Sequence, residues 1–390
     1  MYPKDQMHLI HYNNKRCDLS QYNQNIVIVT WKGGENFGTC LQGYALQEKL
    51  FSFGYTVHIL SDVPHSKGLK SWIQWAMSCI GLMQLRIWCK RRHDLQTNKR
   101  MRWERKAYRS LSLWTKWQVK RLVRRTDCFV TGSDQIWNTY HHFMPMQFLD
   151  FAGNKKRIAY ASSIGTSKFK PEYELQIRKW LLEFQHIGVR EQEAVRTIKD
   201  LTGRMDVVQV VDPTLLITAS EWREFALDAD IEIEIPNHYI FCYLVGNNHW
   251  YVDQLKVVQN ASGLRLVIVP ACENREFEVE NAIVYQYATA VEFVALIDRA
   301  DFVCTDSFHA TAFCINLNKP FVEFMRFKDE DEESQNSRIY DFLNHYGLAN
   351  RIYNEKSTDW SKSIEYAPIT ALLEADRERS LNYLIDSIER

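Results

Sequence analysis

No run of about eighteen uninterrupted apolar residues occurs in this 390-residue chain, so the sequence offers no membrane-spanning helix. The first twenty residues, Met1 to Ser20, are polar and mixed in charge and lack the apolar central segment of a secretory signal. The expectation is a cytoplasmic protein. Nine cysteines, at 17, 40, 79, 89, 128, 242, 272, 304 and 314, include no pair at the two-residue spacing of zinc ribbons or redox motifs. Several sit inside apolar runs, as reduced structural thiols do, which fits a reducing compartment. Internal repeats and low-complexity tracts are absent, and the net charge is zero.

What remains is the composition of a globular protein, 46% hydrophobic and 25% charged, with length enough for two domains that each bury a core. The charge is unevenly spread. Between Arg86 and Arg125 there are fifteen Lys or Arg residues against only Asp94 and Glu104. The same region and its approach hold Trp72, Trp75, Trp88, Trp103, Trp114 and Trp117, half of the chain's tryptophans. Cations with interleaved tryptophan suit the headgroup layer of an anionic membrane. A helical hairpin with a solvated basic face and a core-facing Trp stripe explains the same pattern equally well, and nucleic acid is the weakest of the three readings.

Along the chain, Ile26-Val27-Ile28-Val29-Thr30-Trp31 reads as a buried parallel strand. Gly33, Gly34 and Gly38 follow, then Leu41, Tyr44, Ala45, Leu46 and Leu50 recur at helical spacing before Gly54, and Tyr55 to Leu60 completes a βαβ unit. A basic helical insertion is expected over about 68–125. Apolar segments at Cys128–Thr131, Arg157–Ala161, His186–Arg190 and Val207–Val211 then alternate with helical stretches such as Pro171–Phe184 and Gln192–Leu201. Such alternation predicts a parallel sheet. Asp212-Pro213-Thr214 breaks the pattern, and a second alternation runs from Tyr239 through Phe324 to a last helix at Ile369–Ile388. The expected architecture is α/β, with two Rossmann-like doubly wound domains divided at 217/218.

In open parallel sheets ligands gather at the carboxyl ends of the strands, so motifs there carry weight. Four qualify. Gly33-Gly34-Glu35-Asn36-Phe37-Gly38-Thr39 follows the first strand; it is neither a dinucleotide fingerprint nor a phosphate loop, and a plain βα turn fits it as well as a binding loop. Thr131-Gly132-Ser133-Asp134-Gln135-Ile136-Trp137 reads first as a helix cap. Ala161-Ser162-Ser163-Ile164-Gly165 is a small, hydroxyl-rich loop with Val189-Arg190-Glu191 after it, where an arginine can grip an anion bidentately or make a surface contact with Glu191 or Glu193. Cys304-Thr305-Asp306-Ser307-Phe308-His309-Ala310 puts a hydroxyl, a carboxylate and an imidazole at one helix start, a setting for proton transfer.

Taken in order from about residue 26 to 350, these motifs together with Asp212-Pro213-Thr214 resemble the polysaccharide pyruvyltransferase family. The resemblance implies a GT-B-like pair of domains, residues 1–217 on the acceptor side and 218–390 on the donor side. It also implies transfer of a pyruvyl group from phosphoenolpyruvate to a glycan, without a metal or other cofactor. On that reading His309, Arg190 and Asp134 are the catalytic candidates. Ser307, Thr305, Arg338, Ser163 and Gly165 would bind the donor, and Asn36, Gly34 and Gly38 the acceptor. Family members often carry Arg-Leu-His-Gly where this chain has Ser307-Phe308-His309-Ala310, and Arg338 is the candidate to replace that arginine. Thr39 stands where relatives often have an acid, which leaves the catalytic base open among Asn36, Asp134 and Glu191. A nucleotide-sugar glycosyltransferase is the alternative enzyme, since this fold serves both chemistries, and a non-catalytic membrane scaffold is the alternative class.

Overall fold

The computed structural model describes residues 24–61 and 95–390, apart from 33–35, 114, 142, 272–278, 329–330 and 332–333. Gly34 and residues 68–94 of the expected insertion therefore lie outside the described residues. Seven strands form the first sheet: β1 (Asn25–Val29), β2 (Thr56–Leu60), β3 (Ser110–Leu111), β4 (Cys128–Thr131), β5 (Lys156–Ser162), β6 (His186–Val189) and β7 (Val208–Gln209). Their order is β3-β2-β1-β4-β5-β6-β7 and every pairing is parallel. Five more make the second sheet: β8 (Tyr239–Tyr243), β9 (Arg265–Ile268), β10 (Ile283–Val284), β11 (Phe302–Thr305) and β12 (Phe321–Glu323), in the order β10-β9-β8-β11-β12, also parallel.

Both orders place the first strand of each unit in the middle, as doubly wound folds do. The direction in which successive strands are added reverses between β1 and β4 in one sheet and between β8 and β11 in the other. Loops leaving those four strands splay apart and leave room for a ligand. Parallel strands covered on both faces must be apolar throughout, and β1 is: Ile26, Val27, Ile28 and Val29 are all buried.

Twelve helices are described: α1 (Phe37–Ser52), α2 (Leu95–Ala107), α3 (Lys116–Arg125), α4 (Pro171–Leu181), α5 (Gln192–Thr202), α6 (Pro213–Leu216), α7 (Ala219–Ala226), α8 (Tyr251–Ser262), α9 (Ala290–Arg299), α10 (Phe308–Leu317), α11 (Asn336–His345) and α12 (Tyr366–Glu389). Their starts are chemically marked. Asn36 Oδ1 accepts from the backbone amides of Gly38 and Thr39 to cap α1, and Thr115–Gln118, Thr218–Glu221 and Thr289–Glu292 form capping boxes at α3, α7 and α9. Helix α10 is apolar all round and wholly buried, and stops where Asn318 turns left-handed at φ 57°.

Two helices join the halves. One side of α1 packs Leu46 and Leu50 on its own sheet, while Phe37, Leu41 and Ala45 enter the core of the second half, where Phe37 stacks on Phe293 at 4.7 Å. Lys49 on α1 also pairs with Glu221 on α7 at 3.1 Å, nearly out of solvent. The final helix crosses back to the first sheet. Leu384 and Ile388 join its core, Tyr383 donates to the Ala159 carbonyl at 3.0 Å, and Lys156 donates to that of Ile388 at 2.8 Å.

Most expected segments are present within a few residues. Edge strands β3 and β10, only two residues each, were not anticipated, because so short a segment has no readable period. The described part of the basic insertion is two helices separated by β3. Their tryptophans divide: Trp103 packs against Tyr44, Tyr108 and Phe225, whereas Trp117 is 60% exposed.

Candidate active site

The loop after β4 is held in an unusual shape by contacts on every side. A Cβ at Gly132, whose φ is +129°, would lie 1.9 Å from the Tyr160 carbonyl oxygen, so only glycine fits. Buried Gln42 on α1 accepts from the Ser133 amide at 3.0 Å and donates to the Thr39 carbonyl at 3.0 Å, tying this loop to α1. Asp134 then sits at φ 52°, and its Oδ2 accepts from the Thr39 hydroxyl at 2.8 Å.

Asp212 is the residue on which the site converges. It caps the short helix α6, its Oδ1 accepting from the Thr214 amide at 3.0 Å and hydroxyl at 2.8 Å. Its Oδ2 accepts from the Ser133 hydroxyl at 2.9 Å and Arg190 Nη1 at 3.1 Å, and lies 3.4 Å from His309 Nε2. The Asp212 side chain has no solvent exposure. Burial pushes its carboxyl up, but the facing His309 and the Arg190 guanidinium outweigh that and hold it well below the usual carboxylate range. Asp134 is likewise held down, against burial, by His309, Arg190 and the Thr39 hydroxyl.

Arg190 is gripped in three ways. Its Nε donates to Glu191 at 2.8 Å, its Nη1 donates to Asp212, and its guanidinium carbon stands 4.0 Å over the Phe308 ring. The Glu191 contact considered from sequence is thus present, but buried rather than on the surface. Arg190 Nη2 is buried with no protein partner among the described residues; so are Arg338 Nε and Ser163 Oγ. Burial, with Arg190 and Arg326 nearby, pushes Arg338 down to about 9. A guanidinium does not give up its proton in such settings, so the crowding of cations is a standing preference for an anion. A cavity of about 50 Å³ touches Arg190, Asp212, Phe308 and Arg338. At roughly 10–15 Å³ per water it has room for a phosphate-sized group.

His309 lies in the first turn of α10, buried between the two halves. A Cβ on Gly38 would come within 2.2 Å of its Nδ1, so the glycine lets α1 and the imidazole meet. On the ring's other side Nε2 faces Asp212 at 3.4 Å, too far for a well-formed hydrogen bond, and has no closer partner among the described residues. An imidazole set between a buried carboxylate and the close-packed start of α1 is a candidate for proton transfer.

The remaining sequence candidates fall into two groups. Ser307 is the buried N-cap of α10, next but one to His309, and Ser163, whose buried hydroxyl has no partner among the described residues, donates its amide to the Asp134 carbonyl at 3.0 Å. Thr305, Asn36 and Gly165 are occupied structurally. The Thr305 hydroxyl donates to the Tyr243 carbonyl at 2.7 Å and accepts from the Ser307 amide, Asn36 caps α1, and Gly165, at φ +76°, is closely packed by the Gln135 and Asn138 side chains.

Sequence reasoning saw Asp212 only as part of a motif that breaks a pattern; the signal available was an Asp-Pro-Thr helix start. It likewise did not assign Asp306, which braces the second half. Asp306 accepts from the Val245 and Gly246 amides, each at 2.6 Å, from the Tyr251 hydroxyl at 2.8 Å, and from Arg326 Nε at 3.1 Å. Behind it Glu323 accepts from the Thr311 hydroxyl, and its Oε1 is buried without a partner. Burial, and after it the Asp306 charge, push Glu323 up to about 8.

Comparison with known proteins adds a family. The model of the polysaccharide pyruvyl transferase family matches residues 40–325. No curated protein matches the sequence. Among solved structures the chain is similar to UDP-N-acetylglucosamine 2-epimerase from Rickettsia bellii, at 9% identity and TM-score 0.47, covering 94% of this chain and 98% of that one. It is also similar to the S. aureus MnaA–UDP co-structure, at 10% identity and TM-score 0.49, covering 93% and 90%. A third is the E. coli heptosyltransferase WaaC with ADP, at 10% identity and TM-score 0.39, covering 83% and 98%. Likeness at these scores says nothing about substrate.

Glu323 generates a prediction. Its value in the folded chain exceeds the 4.5 of an ordinary glutamate, so folding retains a proton that the unfolded chain releases. This contribution to stability is complete below about pH 4.5 and is lost as pH rises towards about 8. Glu323→Gln keeps an acceptor for Thr311 and should flatten the fall in urea midpoint between pH 5 and pH 8. An unchanged pH slope in the variant contradicts the assignment.

Proposed function

The chain belongs to the polysaccharide pyruvyl transferase family, and from that premise we propose that it transfers the pyruvyl group of phosphoenolpyruvate to two hydroxyls of one sugar. The sugar would belong to a capsule or exopolysaccharide, or to its lipid-linked precursor. The observation that carries this reading is the pair of buried guanidinium edges, Arg190 Nη2 and Arg338 Nε, without partners among the described residues, on one small cavity also lined by Asp212, the carboxylate that faces His309. Phosphoenolpyruvate is a small molecule with a phosphate and a carboxylate, and each can accept from such an edge.

The chemistry is then assigned to groups in place. His309, backed by Asp212, gives a proton to the methylene carbon of the donor, which becomes the methyl group. One sugar hydroxyl adds to the adjacent carbon and loses its proton to a base. Asn36 spends its oxygen on the helix cap; Asp134 gives Oδ2 to the Thr39 hydroxyl, and Glu191 gives Oε1 to Arg190 while its Oε2 has no partner among the described residues, so the base lies between these two acids. The second hydroxyl bonds to the same carbon, the bond from that carbon to the phosphate oxygen breaks, and phosphate leaves with the remaining proton. A cyclic carboxyethylidene ketal remains. Arg190, Arg338 and Ser163 hold the charged ends throughout and bear the charge of the departing phosphate. In the same reading the two domains divide at 217/218, with α12 docked back on the first.

Incubation with phosphoenolpyruvate and candidate lipid-linked glycans should release phosphate and add to the glycan the mass of a ketal. His309→Ala should abolish release with a melting temperature close to wild type; near-normal release would remove His309 from the mechanism. Thermal protection by a nucleoside diphosphate instead of phosphoenolpyruvate would favour a glycosyltransferase.

We further propose that the protein works from the cytoplasmic side, against an anionic membrane. Among the described residues no helix is long and apolar enough to cross one. Helix α3 supports peripheral contact: Lys116, Trp117, Lys120, Arg121 and Arg124 are exposed and share one face, with Arg125 at its end, and the helix contains no acid. Sedimentation with vesicles of anionic lipid should pull down the protein at low salt and release it at high salt. Lys116→Glu with Lys120→Glu and Arg121→Glu should abolish binding while leaving turnover of a soluble acceptor intact. Absence of wild-type binding at any ionic strength would refute the contact.

A further inference from the structure

Arg338 belongs to the second half, yet its guanidinium is placed among groups of the first, near enough to Arg190, Asp134 and Glu191 to feel their charges. Something must hold the start of α11 against the first half to keep it there. The described contacts at that point centre on Gln335, the residue immediately before the helix, which is 5% exposed. Its Oε1 accepts from Gln135 Nε2 at 2.7 Å, and its Nε2 lies 3.3 Å from His141 Nε2. Both partners come from the loop that leaves β4.

The grip is itself braced. Gln135 Oε1 accepts from Asn138 Nδ2 at 2.6 Å, which orients the amide so that its nitrogen points at Gln335. Gly165 leaves the space that these two side chains fill, since a Cβ there would lie 2.6 Å from Gln135 Oε1 and 2.8 Å from Asn138 Nδ2. On the other side, Asn336 Nδ2 donates to the Phe327 carbonyl at 2.8 Å and joins the start of α11 to the chain that follows β12. Arg338 follows Gln335 by three residues, one turn along the helix, so a shift of the anchored end moves the guanidinium with it.

We infer that Gln335 is a positioning residue: clasped by Gln135 and His141, it holds α11 across the cleft so that Arg338 meets the donor's anionic end. Gln135 shares the role from the opposite side. The two glutamine amides carry no charge and draw none away from the ligand; a carboxylate in the place of Gln335 would compete with the donor for Arg338. This rests on the reading that phosphoenolpyruvate is the donor.

The test is a set of kinetic constants for phosphoenolpyruvate in Gln335→Ala, Gln135→Ala, Arg338→Ala and the double variant Gln335→Ala with Arg338→Ala, each checked for an intact melting transition. Loss of uniform donor binding raises KM and leaves kcat nearly alone. The two glutamine variants should each raise KM by about tenfold, with kcat within about threefold of wild type. In the Arg338→Ala background, Gln335→Ala should change KM no further, because its effect runs through Arg338. Unchanged KM in the single glutamine variants, or a full second tenfold rise in the double variant, would overturn the inference. A wild-type protein that does not turn over phosphoenolpyruvate would instead sink the functional reading, so the two failures are distinct.

Discussion

The carboxylate of Asp212 is the interaction on which the rest depends. A fully buried charge costs several kcal/mol unless it is paired and its lone pairs are filled. Here the partners come from separate parts of the chain: Ser133 from the β4 loop, Arg190 from the end of β6, Thr214 from the following helix and His309 from the second half. One anion thereby ties three strand-end loops of the first half to the histidine of the second. Remove it and Arg190 keeps Glu191, the Phe308 face and the longer Asp134 contact at 4.0 Å, while His309 loses what faces its Nε2.

That arrangement explains why the site is not a simple cluster of positive charge. Asp134, Glu191 and Asp212 all stand against Arg190, so its charge is not bare. They act as struts. Each occupies particular nitrogens of Arg190 and leaves Nη2 uncommitted, so the ligand meets an oriented edge rather than a diffuse field. Asp306 does parallel work in the second half. By accepting from two backbone amides after β8, from Tyr251 and from Arg326, it fixes the loop on which Ser307 and His309 begin α10. Asp306 follows β11, beside the reversal in sheet order where a doubly wound fold opens, whereas Asp212 follows the edge strand β7 and reaches the loop after β4 through Ser133.

Much of the fold was legible because parallel strands buried on both faces leave long apolar runs, and 26–31, 128–131 and 302–305 have no other reading. What could not be read was distance. Nothing in the order of residues says that Gly38 must touch His309, or that Gln135 and Gln335 form a hydrogen bond across two hundred positions. Asp212 was visible only as a turn before a proline, since a helix cap and an electrostatic hub share the same local sequence. Thr305 and Asn36 mislead in the opposite sense: a hydroxyl and an amide at strand ends advertise ligand contact, yet their polar atoms complete the backbone of the loops that present the site. The basic segment shows the same limit. Its tryptophans looked alike in sequence, but Trp103 joins the core and Trp117 faces solvent, because only tertiary packing separates a core stripe from an exposed one.

The central claim is that the free nitrogens of Arg190 and Arg338 are fixed in place for one small molecule with two anionic ends. A crystal structure of the protein soaked with phosphoenolpyruvate tests it most directly. The account predicts donor density between those two guanidinium groups, with the methylene carbon beside His309 and the Asp212 contacts unchanged. Density at another site, with Arg190 Nη2 and Arg338 Nε still empty at saturating ligand, would contradict it.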